Sequence, residues 1–482
     1  MDGERLSVDE LHRFPNVPVR ARGILSWDAP RLYDGILTGL RAAARAAGAR
    51  VDSVGVDTWG VDFALLDGAG RMLRNPAHHR DRRTDGVMEL VLARVPARDI
   101  YERTGIQLMP FNTLFQLRAM AAAGDPALET AETLLFMADL FHYWLCGSRV
   151  SEFTIATTSQ CFDTREGGWA RDLLERVEVP IGLLPEVVSP GTVLGPLRAE
   201  LADDAGLTAT AVVAPATHDT AAAVAAVPFR RPGSVYISSG TWSLVGMEVG
   251  APVVDDRTFA ANLTNEGGVA GTFRLLKNVT GLWLLQECRR AWALGGAEHQ
   301  FGELVAEAQT PPPLQALIDP NDPAFLPPGD MPERIRARCA ATGQTPPETR
   351  AAVVRCILES LALKYRETIE LLESATGLAP QEIHVVGGGS LNRPLCQWTA
   401  DAAGLPVVAG PVEAAGIGNL IVQAIGLGEL SSLDEARHVV RASFELELYE
   451  PGPRDPWDEA YARFAKLSEL PDEAQALVGR RD

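Results

Sequence analysis

The chain reads as an α/β protein whose two halves form lobes with a ligand cleft between them. Three observations predict this. Apolar strands stop at polar or glycine-rich turns at Val51–Gly60, Ala211–Asp219 and Glu382–Gly389. Amphipathic helices intervene, the clearest over Arg31–Ala47 and Arg350–Thr376. The halves also echo each other, each carrying a helix and then a strand that ends at such a turn. Ligands of α/β proteins gather where strands end, so these turns are where chemistry is sought. A length of 482 residues exceeds one ordinary core and predicts at least two domains.

Taken in order, Leu6–Phe14 and Val51–Leu66 read as strands, and Leu32, Ile36, Leu37 and Leu40 mark one face of the helix between them. Asp57-Thr58-Trp59-Gly60 ends a strand, and Gly60 allows either a tight bend or the close approach of a ligand. Asp67-Gly68 and Gly70 signal a turn. His79–Asp85 reads as a solvated charged face, with Arg80 and Asp81 as lesser candidates for substrate contact. Tyr101–Leu117 leads into a helix capped near Asn112, Phe136–Cys146 is a buried helix, and Phe153–Phe162 is a Thr/Ser-rich loop lying against the cleft.

Ala211–Pro215 is a buried strand and Ala221–Val227 a tightly packed helix. Between them Thr217, His218, Asp219 and Thr220 all carry hydrogen-bonding side chains. Asp219 or Thr220 is either a helix cap or a cleft residue. Val227–Gly233, with two prolines and a glycine, marks a domain boundary, giving lobes 1–228 and 229–482. Ser234–Gly246 is a strand, a tight turn at Ser238–Thr241 and a second strand. That turn is an ordinary hairpin or a cradle of N–H and O–H donors for a phosphate. Asn278 and Gln286, eight positions apart, fall on one face of a helix and are satisfied core amides or ligand contacts. The stripe Val354, Ile357, Leu358, Leu361, Tyr365, Ile369 and Leu372 is core, and Gly377 ends its helix. A strand to Val386 is followed by three glycines and a helix capped by Ser390, a turn able to seat a nucleotide at a helix N-terminus. Val407–Asn419 repeats that theme with Gly410, Glu413 and Gly416, and Trp457, Tyr461 and Phe464 pack a C-terminal helix.

Composition narrows the function. The formal charge is -19 with no dense basic run, which argues against a nucleic-acid or anionic-membrane surface. The N-terminus has no apolar stretch of a signal peptide, and no run approaches the roughly 20 residues that span a bilayer. Six scattered cysteines without a C-x-x-C pair suggest reduced thiols and a cytoplasmic setting. No His/Cys cluster has zinc spacing, and the adjacent His78 and His79 read as loop residues.

Seven motifs together are more specific. Asp57–Phe63 (DTWGVDF), Gly105–Leu117 (GIQLMPFNTLFQL), His218–Pro228 (HDTAAAVAAVP), Ser238–Gly246 (SSGTWSLVG), Lys277–Glu287 (KNVTGLWLLQE), Val385–Asn392 (VVGGGSLN) and Ala409–Asn419 (AGPVEAAGIGN) resemble the FGGY family of carbohydrate kinases, in order and over nearly the whole chain. Within that family they resemble the kinases of L-rhamnulose. The resemblance implies a two-lobed actin/hexokinase-like (ribonuclease H-like) fold. It implies transfer of the γ-phosphoryl group of ATP to the sugar's 1-hydroxyl with Mg²⁺; the sequence leaves monomer or homodimer open. Asp219 would bind the sugar and act as its base; His218, Thr220, Gly60 and Asn278 would hold the sugar; Thr241, Gln286 and Gly388 would contact ATP. It gives no metal ligands. L-fuculose or L-xylulose are alternative substrates, a sugar-binding relative without catalysis is a second reading, and an ATPase of the actin or chaperone kind a third.

One departure stands out. The family opens with a strand and a D-x-G-x-S turn facing the ATP phosphates. No such motif precedes Trp27, where Leu6–Phe14 resembles the following strand. The first strand and phosphate loop of the first lobe are therefore expected to be missing, and the natural chain to start upstream of Met1. A chain that truly begins at Met1 is expected to turn over ATP weakly or not at all while still binding the sugar.

Overall fold

The computed structural model describes residues 5–231 and 233–468. Met1, Pro232 and the stretch 469–482 lie outside the described residues, and with them the expectation about where the chain starts and the middle of the predicted boundary. The chain forms two compact units. The first comprises the stretch up to Pro228, Val249–Arg274 and Ala415–Ser443; the second comprises Phe229–Glu248, Leu275–Ala414 and the stretch from Phe444.

In the first unit, Ala211–Ala214 pairs parallel with Ser53–Val54 and antiparallel with Thr192–Pro196. Phe63–Leu66 pairs with Thr133–Phe136, and every residue of both strands is buried. The helix Ala29–Ala46 starts where Asp28 accepts from Arg31 N and Pro30 fixes the first turn. Its apolar face serves two clusters. Ala29 and Leu32 join Trp27, Leu66, Leu135 and Phe141. Leu40 and Ala44 join Leu145, Leu197 and Val212. Burying one such large side chain contributes about 1.5–3 kcal/mol. The buried helix Met137–Cys146 ends at Gly147, whose φ of +90° only glycine adopts cheaply.

The second unit is built on a sheet in which strands Phe273–Thr280, Trp242–Val249, Val235–Ser239, Ile383–Val386, Val407–Ala409 and Glu447–Tyr449 follow one another as neighbours. Val235–Ser239, Ile383–Val386 and Val407–Ala409 run parallel. The helix Arg350–Thr376 spans its predicted range, from a Thr349 cap to Gly377 at φ +70°, with the whole predicted stripe buried. The C-terminal helix Asp455–Ser468 buries Trp457 and Phe464, and Tyr461 stacks under Arg366. Among the described residues no helix is long and apolar enough to cross a membrane.

Four expectations are corrected. Leu6–Phe14 is not a strand: its residues are mostly exposed and, among the described residues, no backbone ladder includes them, so apolar residues in a run without a ladder partner make no strand. Phe14 instead packs its ring on Gly35. Asn278 and Gln286 do not share a helix. Asn278 lies on the strand Phe273–Thr280 and Gln286 on the helix Trp283–Leu294, because Gly281 breaks the run and a spacing of eight then crosses a turn. Ser390 is not the cap, since its Oγ donates to Gly387 O within a 3₁₀ turn; Asn392 caps Arg393–Ala403, where Pro394 sets the first turn. Phe153–Phe162 is not a plain loop but a helical turn, Phe153–Ala156, running into a 3₁₀ turn, Thr157–Ser159.

Candidate active site

The candidate loop of the first unit is built by two strand ends. Thr58 N donates to Thr217 O and Asp219 N to Thr58 O, both at 2.8 Å, which ties DTWG to HDT. Asp219 then opens the helix Asp219–Ala225. It is not a cap: His218 occupies that position and makes no capping bond. Asp219 Oδ1 accepts from Thr220 N at 2.6 Å and Thr220 Oγ1 at 3.2 Å. The Asp219 side chain remains 47% exposed, so a carboxylate oxygen is available to a ligand.

Beneath this loop lies Glu152, fully buried. Its carboxylate accepts from Thr154 N (2.9 Å), Thr154 Oγ1 (2.5 Å), Thr217 N (3.0 Å) and Thr217 Oγ1 (2.5 Å). Thr154 Oγ1 in turn accepts from His218 N at 3.1 Å. Burial raises the Glu152 carboxyl above its ordinary range, against these bonds. Asp139, joined to Ser151 Oγ and Glu152 N, is raised more strongly by burial and by the Glu152 charge.

His218 is held from its other side. Arg274 Nη2 donates to His218 Nδ1 at 3.1 Å, and Glu266 lies 3.2 Å from Arg274 Nη1. His218 Nε2 lies 3.5 Å from Asp219 Oδ1. Sequence reading named His218, Asp219 and Thr220, but missed Glu152, Glu266 and Arg274. Glu266 sits in the polar and glycine-containing run Thr264–Gly268, which gives no local sign that its charge is buried.

Asp57 also belongs to this end. Asn419 Nδ2 donates to Asp57 Oδ1 at 2.5 Å. Asn419 reaches it because Gly418 has no side chain; a Cβ there would sit 1.7 Å from Ala222 O. The strand before Asp57 is pinned by His142, which burial pulls down to about 3, so its neutral Nε2 accepts from Val56 N at 2.9 Å. Burial pushes Asp57 up to about 7, and the neighbouring Asp219 carboxylate adds to the rise while Asn419 opposes it. An unfolded aspartate titrates near ~3.9. The native state therefore binds more protons between those values, and stability falls as pH rises from about 4 to about 7. Asp57→Asn keeps the Asn419 bond and flattens that slope. Urea unfolding at a series of pH values checks this, and parallel curves for the two proteins would refute it.

Gly60 sits two residues beyond Thr58. A Cβ on it would lie 2.8 Å from Thr158 Oγ1, which itself accepts from Val61 N. Close packing thus explains the glycine. Next to it, Asp62 Oδ2 accepts from Trp27 Nε1 (2.7 Å) and Trp59 Nε1 (2.9 Å) and meets His79 Nδ1 at 2.9 Å. His78 and His79, read from sequence as separate loop residues, do converge here, with ligand atoms within 4.8 Å of one another and of Asp62. Asp81 is a structural residue: buried, it accepts from Leu25 N and Arg83 N.

The second unit gathers the other candidates. Thr241 follows the strand Val235–Ser239, and its Oγ1 donates to Gln286 Oε1 at 3.2 Å. Trp283 N donates to Thr241 O, which seats that turn on the start of the Gln286 helix. The Gly388 turn follows the parallel strand Ile383–Val386. Gly387 has φ +81°, and a Cβ on Gly389 would lie 2.0 Å from Ser239 Oγ. Glycines therefore let this turn close onto Ser239, while a Cβ on Gly388 would meet nothing within 4 Å. Thr241, Gln286 and Gly388 share the C-terminal end of two parallel strands, the ligand-binding end of such sheets. Asn278 is not part of that group; its carbonyl lies 3.4 Å from Asn321 Nδ2.

Comparison with known proteins gives a consistent picture. Residues 19–226 match the N-terminal domain of the FGGY family of carbohydrate kinases, and residues 235–427 match its C-terminal domain. The chain is 44% identical to the rhamnulokinase of Bacteroides thetaiotaomicron, over 95% of this chain and 94% of the relative. It is 41% identical to that of Pectobacterium carotovorum, over 97% and 92%. Among solved structures, the xylulose kinase of Rhodospirillum rubrum superposes with a TM-score of 0.76 at 23% identity, covering 94% of this chain and 92% of that one. Plasmodium falciparum glycerol kinase with ADP gives 0.77 at 14%, covering 95% and 93%. At those identities the two structures share the fold.

Proposed function

The chain belongs to the FGGY family of carbohydrate kinases, and from that premise we propose that it transfers the γ-phosphoryl group of ATP to the 1-hydroxyl of L-rhamnulose, yielding L-rhamnulose 1-phosphate and ADP. The observation that carries the reading is Asp219, a carboxylate open to a ligand at the end of a loop whose backbone is held by Glu152. In this role Asp219 accepts the proton of the sugar hydroxyl as it attacks phosphorus. His218, Thr220, Gly60 and Asn278 hold the sugar, and Thr241, Gln286 and Gly388 hold ATP. The first lobe, 1–228, is the sugar-binding lobe and 229–482 the nucleotide-binding lobe. Phosphoryl transfer depends mostly on such positioning and on charge neutralisation.

Mg²⁺ bound with the triphosphate would supply part of that neutralisation. The Asp62–His78–His79 cluster does not fit it: Mg²⁺ takes oxygen ligands, and Asp62 Oδ2 is already committed to two indole N–H groups. No residue is assigned to the metal.

A coupled ADP-release assay with L-rhamnulose, L-fuculose and L-xylulose tests the reading. L-Rhamnulose should give the highest kcat/KM by tenfold or more, a difference of about 1.4 kcal/mol. A higher value with either other ketose, or ADP release without any sugar, would displace it.

A further inference from the structure

We infer that Arg274 is a positioning residue for His218: its guanidinium donates to Nδ1 and so keeps the ring's one proton on Nε2, facing Asp219. The inference rests on the proposed role of His218 as a sugar contact.

A guanidinium carries only N–H donors and keeps its charge. Arg274 is 0% exposed, with Nε donating to Gly267 O at 2.9 Å and Nη2 to His218 Nδ1 at 3.1 Å. The nitrogen that accepts must offer a lone pair, so the neutral ring carries its proton on Nε2. Glu266 competes for the same nitrogen, its Oε2 lying 3.3 Å from Nδ1. That oxygen makes no well-directed hydrogen bond, whereas the Arg274 bond is well directed. A doubly protonated ring would set N–H against N–H. The geometry therefore favours Arg274 as the partner and leaves Glu266 to balance its charge.

The consequence is directional. Nε2 lies 3.5 Å from Asp219 Oδ1. With the proton there, His218 presents a donor beside the base, suited to a sugar oxygen. With the proton on Nδ1, a lone pair would face the carboxylate, which is repulsive and cannot donate to the sugar. A buried ion pair adds little net stability, so a fully buried Arg–Glu pair on this ring points to orientation.

Nitrogen-15 NMR of the histidine-labelled wild-type protein reads the tautomer directly, with His218 identified by the signal lost in His218→Asn. A bare Nδ1 and a protonated Nε2 are expected. A proton on Nδ1, or on both nitrogens, overturns the inference whatever the activity. In Arg274→Met, Glu266 should capture an Nδ1 proton and flip the tautomer. The KM for L-rhamnulose should then rise about tenfold or more, the loss of one hydrogen bond, while the KM for ATP stays put. Arg274→Lys, which retains a donor, should restore the wild-type tautomer and most of the affinity. An unchanged tautomer in folded Arg274→Met overturns the idea. If that variant does not fold, the wild-type and Arg274→Lys spectra decide. A wild-type protein that phosphorylates no ketose refutes the proposed function but leaves the tautomer assignment standing.

Discussion

Asp219→Asn should lower kcat for L-rhamnulose phosphorylation by about 10²–10⁴-fold, the usual worth of a positioned general base. Asparagine is isosteric and keeps an oxygen for Thr220 N, so the loop geometry at 2.6 Å survives. What disappears is the capacity to take a proton. The side chain is half in solvent, so the change should leave thermal unfolding near that of the wild type. The KM for sugar should move far less than kcat, because an interaction made in the transition state is removed. The coupled ADP-release assay measures all of this. Undiminished turnover would remove Asp219 from the mechanism.

Glu152→Ala should be the most destabilising of these changes. It leaves two backbone N–H groups and two hydroxyls without their acceptor in a fully buried place. Each unsatisfied buried donor costs about 1–3 kcal/mol. Relief of the repulsion between Glu152 and Asp139 offsets part of that, and a net loss of about 3 kcal/mol or more is expected. Thr217 and His218 would lose their support together, so kcat should fall as well. Glu152→Gln separates acceptor from charge: it relieves the repulsion and keeps one carbonyl oxygen, which can serve Thr217 N and the two hydroxyls, while its amide N–H faces Thr154 N, a donor that cannot turn. It should therefore recover only part of the stability. Urea unfolding combined with turnover tests both variants. An alanine variant as stable and active as wild type would show that Glu152 does not hold the loop.

Much of this was legible in the chain itself. Helix Arg350–Thr376 was readable end to end, because its stripe and terminal glycine speak locally; the Thr349 cap is what the structure adds. So was the strand–turn–helix around His218–Asp219, where an apolar run, a polar break and an alanine run carry the message. The motifs that resemble the FGGY family named the candidate residues. Asn278 shows the limit of periodicity: eight positions fit two helical turns, yet Gly281 divides a strand from a helix. Leu6–Phe14 shows another, since apolar residues in a short run say nothing about whether a neighbouring backbone is present to pair with it.

What the sequence determined by itself was the set of local elements, the kinase family its motifs resemble, and the aspartate proposed as the base, Asp219. Only the tertiary structure decided what surrounds that aspartate. Glu152 stands 65 positions from Thr217, Arg274 stands 56 from His218, and Asn419 stands 362 from Asp57. A charge in a sequence looks like a surface charge. Whether it is stripped of water and turned toward a particular ring or amide depends on which distant segments close over it, and burial of that kind sets hydrogen-bond direction and proton affinity.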